Sequence, residues 1–138
     1  DDGAYLMTKI IIKMVKLKDE GKTIDDLIAN LKVPVEADEL RFAINETDFR
    51  AYGENVIAEF EKFFNESPDW TVADDNREGI RASCSHGWVL LRLSVHDPIM
   101  PMNLESDRKD GVKDMLTEIK PFFERFTSLD ITPFDKRI

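Results

Sequence analysis

Trp88-Val89-Leu90-Leu91-Arg92-Leu93-Ser94-Val95-His96-Asp97-Pro98, with Met102-Asn103-Leu104-Glu105-Ser106 close behind it, is the stretch on which the reading of this 138-residue chain turns. Trp88 to Leu93 is an apolar run of strand length, and Met100 to Glu105 is a second. Between them lies a loop that carries an arginine, a serine, a histidine, an aspartate and a proline. Immediately upstream, Ile80 to Cys84 reads as the first strand of a hairpin that turns at Ser85-His86-Gly87 into Trp88–Leu93. Asp74-Asp75-Asn76-Arg77-Glu78-Gly79 is a polar turn before it, and Trp70 to Ala73 a further strand after the Pro68-Asp69 turn.

Working outward, Thr47 stands where a helix cap belongs, and Phe49, Tyr52, Val56, Phe60 and Phe63 follow at helical spacing. Gly53 interrupts that helix at a cost of about 1 kcal/mol relative to alanine. The aromatic stripe predicts packing on a sheet. Leu40 to Ile44 reads as a strand before it. A last helix spans about Arg108 to Phe126, with Val112, Met115, Leu116, Ile119, Phe122, Phe123 and Phe126 on one face and a kink or the start of a new turn expected at Pro121. This order predicts an α+β fold, an antiparallel sheet with helices on one face. At the other end, Ala4 to Asp19 reads as a helix apolar over much of its circumference, the kind normally buried in a domain, most of which would lie outside these residues. Thr23 and Asp26 resemble a capping box for a short second helix with Leu27, Ile28 and Leu31 as its stripe. Val33-Pro34-Val35 ends it, and Leu31 to Glu39 is the expected linker. Two domains are predicted: residues 1–37, a helical tail with linker, and residues 38–138.

The composition is that of a globular protein, 42% apolar and 34% charged. A formal charge of −9 opposes non-specific binding to nucleic acid. A local basic spot still suits a small anion, because screening confines its field to about 8–10 Å. Cys84 is the single cysteine, which fits a reducing compartment and excludes an internal disulfide or a cysteine-rich metal site. The Ala4–Leu17 run is too short and too lysine-bearing for a membrane span of about 20 residues. Its beginning at Asp1-Asp2-Gly3, directly before that run, reads as a start within a longer polypeptide.

Glu78-Gly79-Ile80-Arg81, Gly87-Trp88, the loop from Arg92 to Pro98 and Asn103-Leu104-Glu105-Ser106 together resemble the signature of the last domain of the phosphohexomutases, the phosphomannomutase/phosphoglucomutase family. In that family a strand of the type DGxR and another of the type GWxLxR lead into a phosphate-binding loop, R-x-S-(G/N)-T-E-P, and then a strand like RLNVES. Asp1-Asp2-Gly3-Ala4-Tyr5-Leu6 and Lys22-Thr23-Ile24-Asp25-Asp26-Leu27 are similar to the end of the family's third domain. The resemblance implies that residues from about 38 onward form a fourth domain of TATA-box-binding-protein-like topology. It also implies that Arg92, Ser94, Val95 and His96 hold a substrate phosphate. Three positions depart from the pattern: Val95 replaces glycine or asparagine, His96 replaces threonine, and Asp97 replaces glutamate. A β-branched residue at 95 resists positive φ.

The chemistry fits the implication. Arginine offers a planar fork of donors to two phosphate oxygens and keeps its charge. A serine hydroxyl and loop N–H groups add donors, each charge-assisted bond contributing about 1.5–3 kcal/mol. The family's reaction moves a phosphoryl group between positions 1 and 6 of a hexose through a phosphoserine and a bisphosphorylated sugar. The resemblance implies a phosphorylated hexose and the remaining domains of the polypeptide as partners, a cytoplasmic setting, and Mg²⁺ bound outside this stretch. The serine and metal loops of such an enzyme are not among these residues, so no mutase activity is expected of the chain alone. A stand-alone anion-sensing or protein-interaction module of the same fold is the alternative. Taken singly, Arg92 also reads as a surface arginine at a strand end, and His96 as a residue held by Asp97. Asp1-Asp2 and Asp74-Asp75 read as solvated turns, Cys84 as a small strand residue, His86 as a hairpin residue, and Arg81 as a side chain in solvent or in a salt bridge.

Overall fold

The computed structural model describes residues 2–138, and the chain divides into two compact units between Val33 and Pro34. In the first, α1 (Gly3–Asp19) begins where the Asp2 carboxylate accepts the Tyr5 N–H at 2.9 Å. Asp1, the other half of that acidic pair, lies outside the described residues. Tyr5, Leu6, Met7, Ile10, Ile11, Ile12, Met14 and Val15 are all exposed, and Leu17 alone is sealed. The expected second helix is reduced to a three-residue 3-10 turn, Asp25–Leu27. Only the reciprocal half of the capping box forms, with the Asp26 carboxylate accepting the Thr23 N–H at 2.6 Å and the Thr23 hydroxyl at 3.1 Å. Those bonds hold Asp26 below the usual carboxylate range. One turn is too short to repay helix nucleation.

The second unit is an α+β domain. Its strands are β1 (Glu36–Ala43), β2 (Thr71–Val72), β3 (Ile80–Cys84), β4 (Gly87–Leu91) and β5 (Ile99–Ser106), with α2 (Phe49–Asn65) after β1 and α3 (Gly111–Phe123) after β5. They form a five-stranded sheet in the order β1-β5-β4-β3-β2, antiparallel at every pairing. β1 starts four residues before the expected strand because Glu36 to Asp38 pair with Leu104 to Ser106, so backbone pairing claims residues that the sequence assigned to the linker. Asp48, not Thr47, caps α2, accepting the Ala51 N–H at 3.0 Å. The cap of α3 comes from far away: the Glu36 carboxylate accepts the N–H groups of Asp110 (2.7 Å) and Val112 (3.1 Å). Pro121 lies inside α3, which ends two residues later.

Alternation along the strands separates two faces. Leu40, Phe42, Ala82, Val89, Leu91, Met100, Met102 and Leu104 point to one face and are buried under α2 and α3. There Phe60 of α2 meets Phe122 and Phe123 of α3 at ring-centroid distances of 4.9 and 5.3 Å, and Phe42 stacks between Phe123 (5.0 Å) and Phe134 (5.2 Å). Burying each such side chain contributes about 1.5–3 kcal/mol. Both helices lie on this face, so the other side of β1, β5, β4 and β3 is open.

Candidate anion-binding site

β4 does not end its pairing at Leu91. The Arg92 N–H donates to the Pro101 carbonyl at 2.9 Å and the Ser94 N–H to the Ile99 carbonyl at 3.0 Å. The two-residue alternation therefore continues, and Arg92 and Ser94 turn away from the core while Leu93 packs into it. Leu93 reaches the core because residue 53 has no side chain: a Cβ on Gly53 would lie 2.5 Å from Leu93 Cδ1. The glycine that weakens α2 in isolation thus allows the loop to be anchored against it.

Beyond Ser94 the chain turns sharply. The Asp97 N–H donates to Ser94 Oγ at 3.2 Å, and the Ile99 N–H to the Asp97 carbonyl at 2.7 Å. Ser94 Oγ accepts that bond, which leaves its own hydrogen to donate outward. The turn is made without positive φ at Val95. Instead, Arg50 in the first turn of α2 donates from Nη2 to the Val95 carbonyl at 3.1 Å. On the opposite side the 74–79 turn presses against the strand end. Gly79 has φ of +121°, and a Cβ there would lie 2.1 Å from the Leu91 carbonyl oxygen, so only glycine allows the approach.

These elements enclose a depression of about 610 Å³, lined by Arg92, Ser94, Val95 and His96 together with Arg50, Arg77, Glu54 and Glu78. All four residues singled out from the sequence share one concavity. Arg50 and Arg77 were not foreseen. The only sequence sign of Arg50 is a cation in the first turn of a helix, where the helix dipole disfavours it. Arg77 sits in an acidic turn and is paired with Asp75 at 2.9 Å, so nothing in the sequence marked it.

Arg92 also borders a second depression of about 570 Å³ on the open sheet face, with Trp88, Leu90, Asn103, Glu105 and Glu39. Its Nη2 lies 3.4 Å from Asn103 Oδ1. Its Nε is buried and has no hydrogen-bond partner among the described residues. Leaving such a donor unsatisfied costs about 1–3 kcal/mol. Arg81 is exposed, as expected, and its guanidinium lies over the Trp88 ring at 4.8 Å. The Trp88 indole N–H donates to Glu105 at 3.1 Å. Cys84 is a half-buried free thiol on β3, and His86 forms the hairpin turn.

The fold and the site define an α+β domain with an arginine-lined cup at one end of its sheet. No protein-family model matches the sequence, and no curated protein matches it. Among solved structures, a phosphoglucomutase/phosphomannomutase family protein from Burkholderia thailandensis is similar over 72% of this chain, at 15% identity and a TM-score of 0.46. The chain spans 19% of the length of that protein. No helix among the described residues is long and apolar enough to cross a membrane.

Proposed function

We propose that residues 34–138 are the substrate-phosphate-binding domain of a phosphohexomutase, which interconverts hexose 1-phosphate and hexose 6-phosphate through a phosphoserine and a bisphosphate, and that residues 1–33 are the helical tail and linker of the preceding domain. The observation that carries this reading is the meeting of Arg92, Ser94, His96, Arg50 and Arg77 around one depression. The Ser94 hydroxyl, accepting from the Asp97 N–H, is free to donate its own hydrogen to an anion there. The motif order around the loop supports the same assignment.

In this role the cup grips whichever phosphate is not reacting. Binding energy gathered there, away from the transferred group, positions the sugar for reaction. The phosphoserine and the residues that hold Mg²⁺ would belong to other domains of the polypeptide, so the chain alone has no mutase activity.

The test is a titration of the chain, followed by amide NMR, with glucose 6-phosphate, inorganic phosphate and unphosphorylated glucose. Both phosphates should shift the 92–97 amides and glucose should not. Arg92→Ala should weaken phosphate binding by about 10–100-fold, the loss of about 1.5–3 kcal/mol. Equal affinity in the variant would reject the assignment. His96→Gln should also weaken phosphate binding. Unchanged affinity in that variant would remove His96 from the site.

A further inference from the structure

The conformation of Arg92 is set from two neighbouring strands. Asn103 on β5 stands opposite Glu39 on β1 and opposite Leu90 on β4. Arg92, two residues past Leu90, is therefore its diagonal neighbour on the open face. Glu39 Oε2 accepts from Asn103 Nδ2 at 2.9 Å, and Asn103 Oδ1 faces Arg92 Nη2 at 3.4 Å. A primary amide has one donor end and one acceptor end, whereas an ionised carboxylate only accepts. Glu39 thus takes the NH₂ end of Asn103 and turns the carbonyl oxygen toward the guanidinium. Glu39 is itself tethered, because Arg41 Nε donates to its other oxygen at 2.6 Å. The Asn103 bond first, then the bond and charge of Arg41 and the charge of Arg92, hold the Glu39 carboxyl below the usual carboxylate range. It is ionised, and an acceptor only, at neutral pH.

We infer that Glu39 and Asn103 are positioning residues for Arg92: the Glu39 carboxylate orients the Asn103 amide, and the amide oxygen aims the guanidinium at the anion without neutralising it. The inference rests on the phosphate-binding reading and adds to it two residues outside the loop. The neutral link matters. An aspartate at 103 would hold Arg92 equally well but would form an ion pair that competes with the phosphate. A glutamate in direct contact would do the same, and the intervening amide keeps Glu39 one residue away.

Two measurements on the 138-residue chain test this. The first needs no ligand: ¹⁵N relaxation of the Arg92 Nε–Hε group. In the wild type this group should be ordered on the nanosecond scale. Asn103→Leu and Glu39→Leu should both loosen it while the core amides keep their order. The second is phosphate affinity in a double-mutant cycle. Asn103→Leu should weaken binding about three- to tenfold, as expected for one lost orienting hydrogen bond. In an Arg92→Ala background it should change nothing further. Asn103→Asp should leave Nε–Hε ordered yet weaken phosphate at least as much as Asn103→Leu. An Arg92 side chain equally ordered in Asn103→Leu, or effects of Arg92→Ala and Asn103→Leu that simply multiply, would overturn the positioning role while leaving the phosphate reading intact. A wild-type chain with an ordered Arg92 that ignores phosphate would overturn the proposed function instead.

Discussion

Met102 and Asn103 are neighbours on β5, yet Met102 is fully buried among Phe and Leu side chains while Asn103 links Glu39 to Arg92 on the open face. The same division runs through β4, with Val89 and Leu91 inside and Trp88, Leu90 and Arg92 outside. One face holds the domain together, and the other, with the loop that extends it, is available for chemistry. The two roles are separated by one residue of strand period rather than by distance. Stability and binding should therefore respond to different substitutions within a few ångströms of each other.

The largest effect expected is on the closed face. Met102→Ala should cost about 2–5 kcal/mol in urea unfolding, through lost burial and a residual cavity. At low denaturant its phosphate affinity should stay near that of the wild type. A variant that loses affinity more than stability would break the separation of the faces. Gly79→Ala sharpens the comparison where the faces meet. Its backbone is in the left-handed half of φ space and a Cβ would collide with the Leu91 carbonyl. About 1–3 kcal/mol of strain is expected, with the 92–97 amides shifted as well, because the turn that carries Arg77 must move.

A smaller effect concerns Glu39 and acid. Its folded-state pKa is depressed, so its contribution to stability is complete above the ordinary glutamate value of about 4.3 and fades as pH falls through the folded value. The stability difference between wild type and Glu39→Gln should thus be constant near neutrality and shrink in acid below about pH 4. A difference that grows as pH falls would contradict the sign. Smallest of all is α1: Ile11→Ala should change the unfolding of the 34–138 unit by less than about 0.5 kcal/mol, since Ile11 is exposed.

The helices show how much of this was legible. Helical spacing of Phe49, Tyr52, Val56, Phe60 and Phe63 located α2 and its buried face, and the same spacing located α3. Composition located α1 as well, an apolar helix whose residues, Leu17 apart, are exposed. Periodicity reports that a face is apolar, not whether another element covers it. The loop from Arg92 to Pro98 was legible because its residues are contiguous. Arg50, Arg77, Asn103 and Glu39 were legible as residues but not as parts of a site.

By itself, the chain of residues determined the alternation of the strands, the aromatic face of each long helix, and the meeting of an arginine, a serine and a histidine in one turn. Those depend on periods of 2 and 3.6 and on contact within a few positions. Tertiary structure alone decided that β5 lies between β1 and β4, and so brings Glu39 and Asn103 beside Arg92. It also decided that Arg50 reaches the Val95 carbonyl across 45 positions and that Glu36 caps a helix 74 residues away. Such pairings are fixed when the whole sheet and its core form together, because no local free-energy preference distinguishes one distant partner from another.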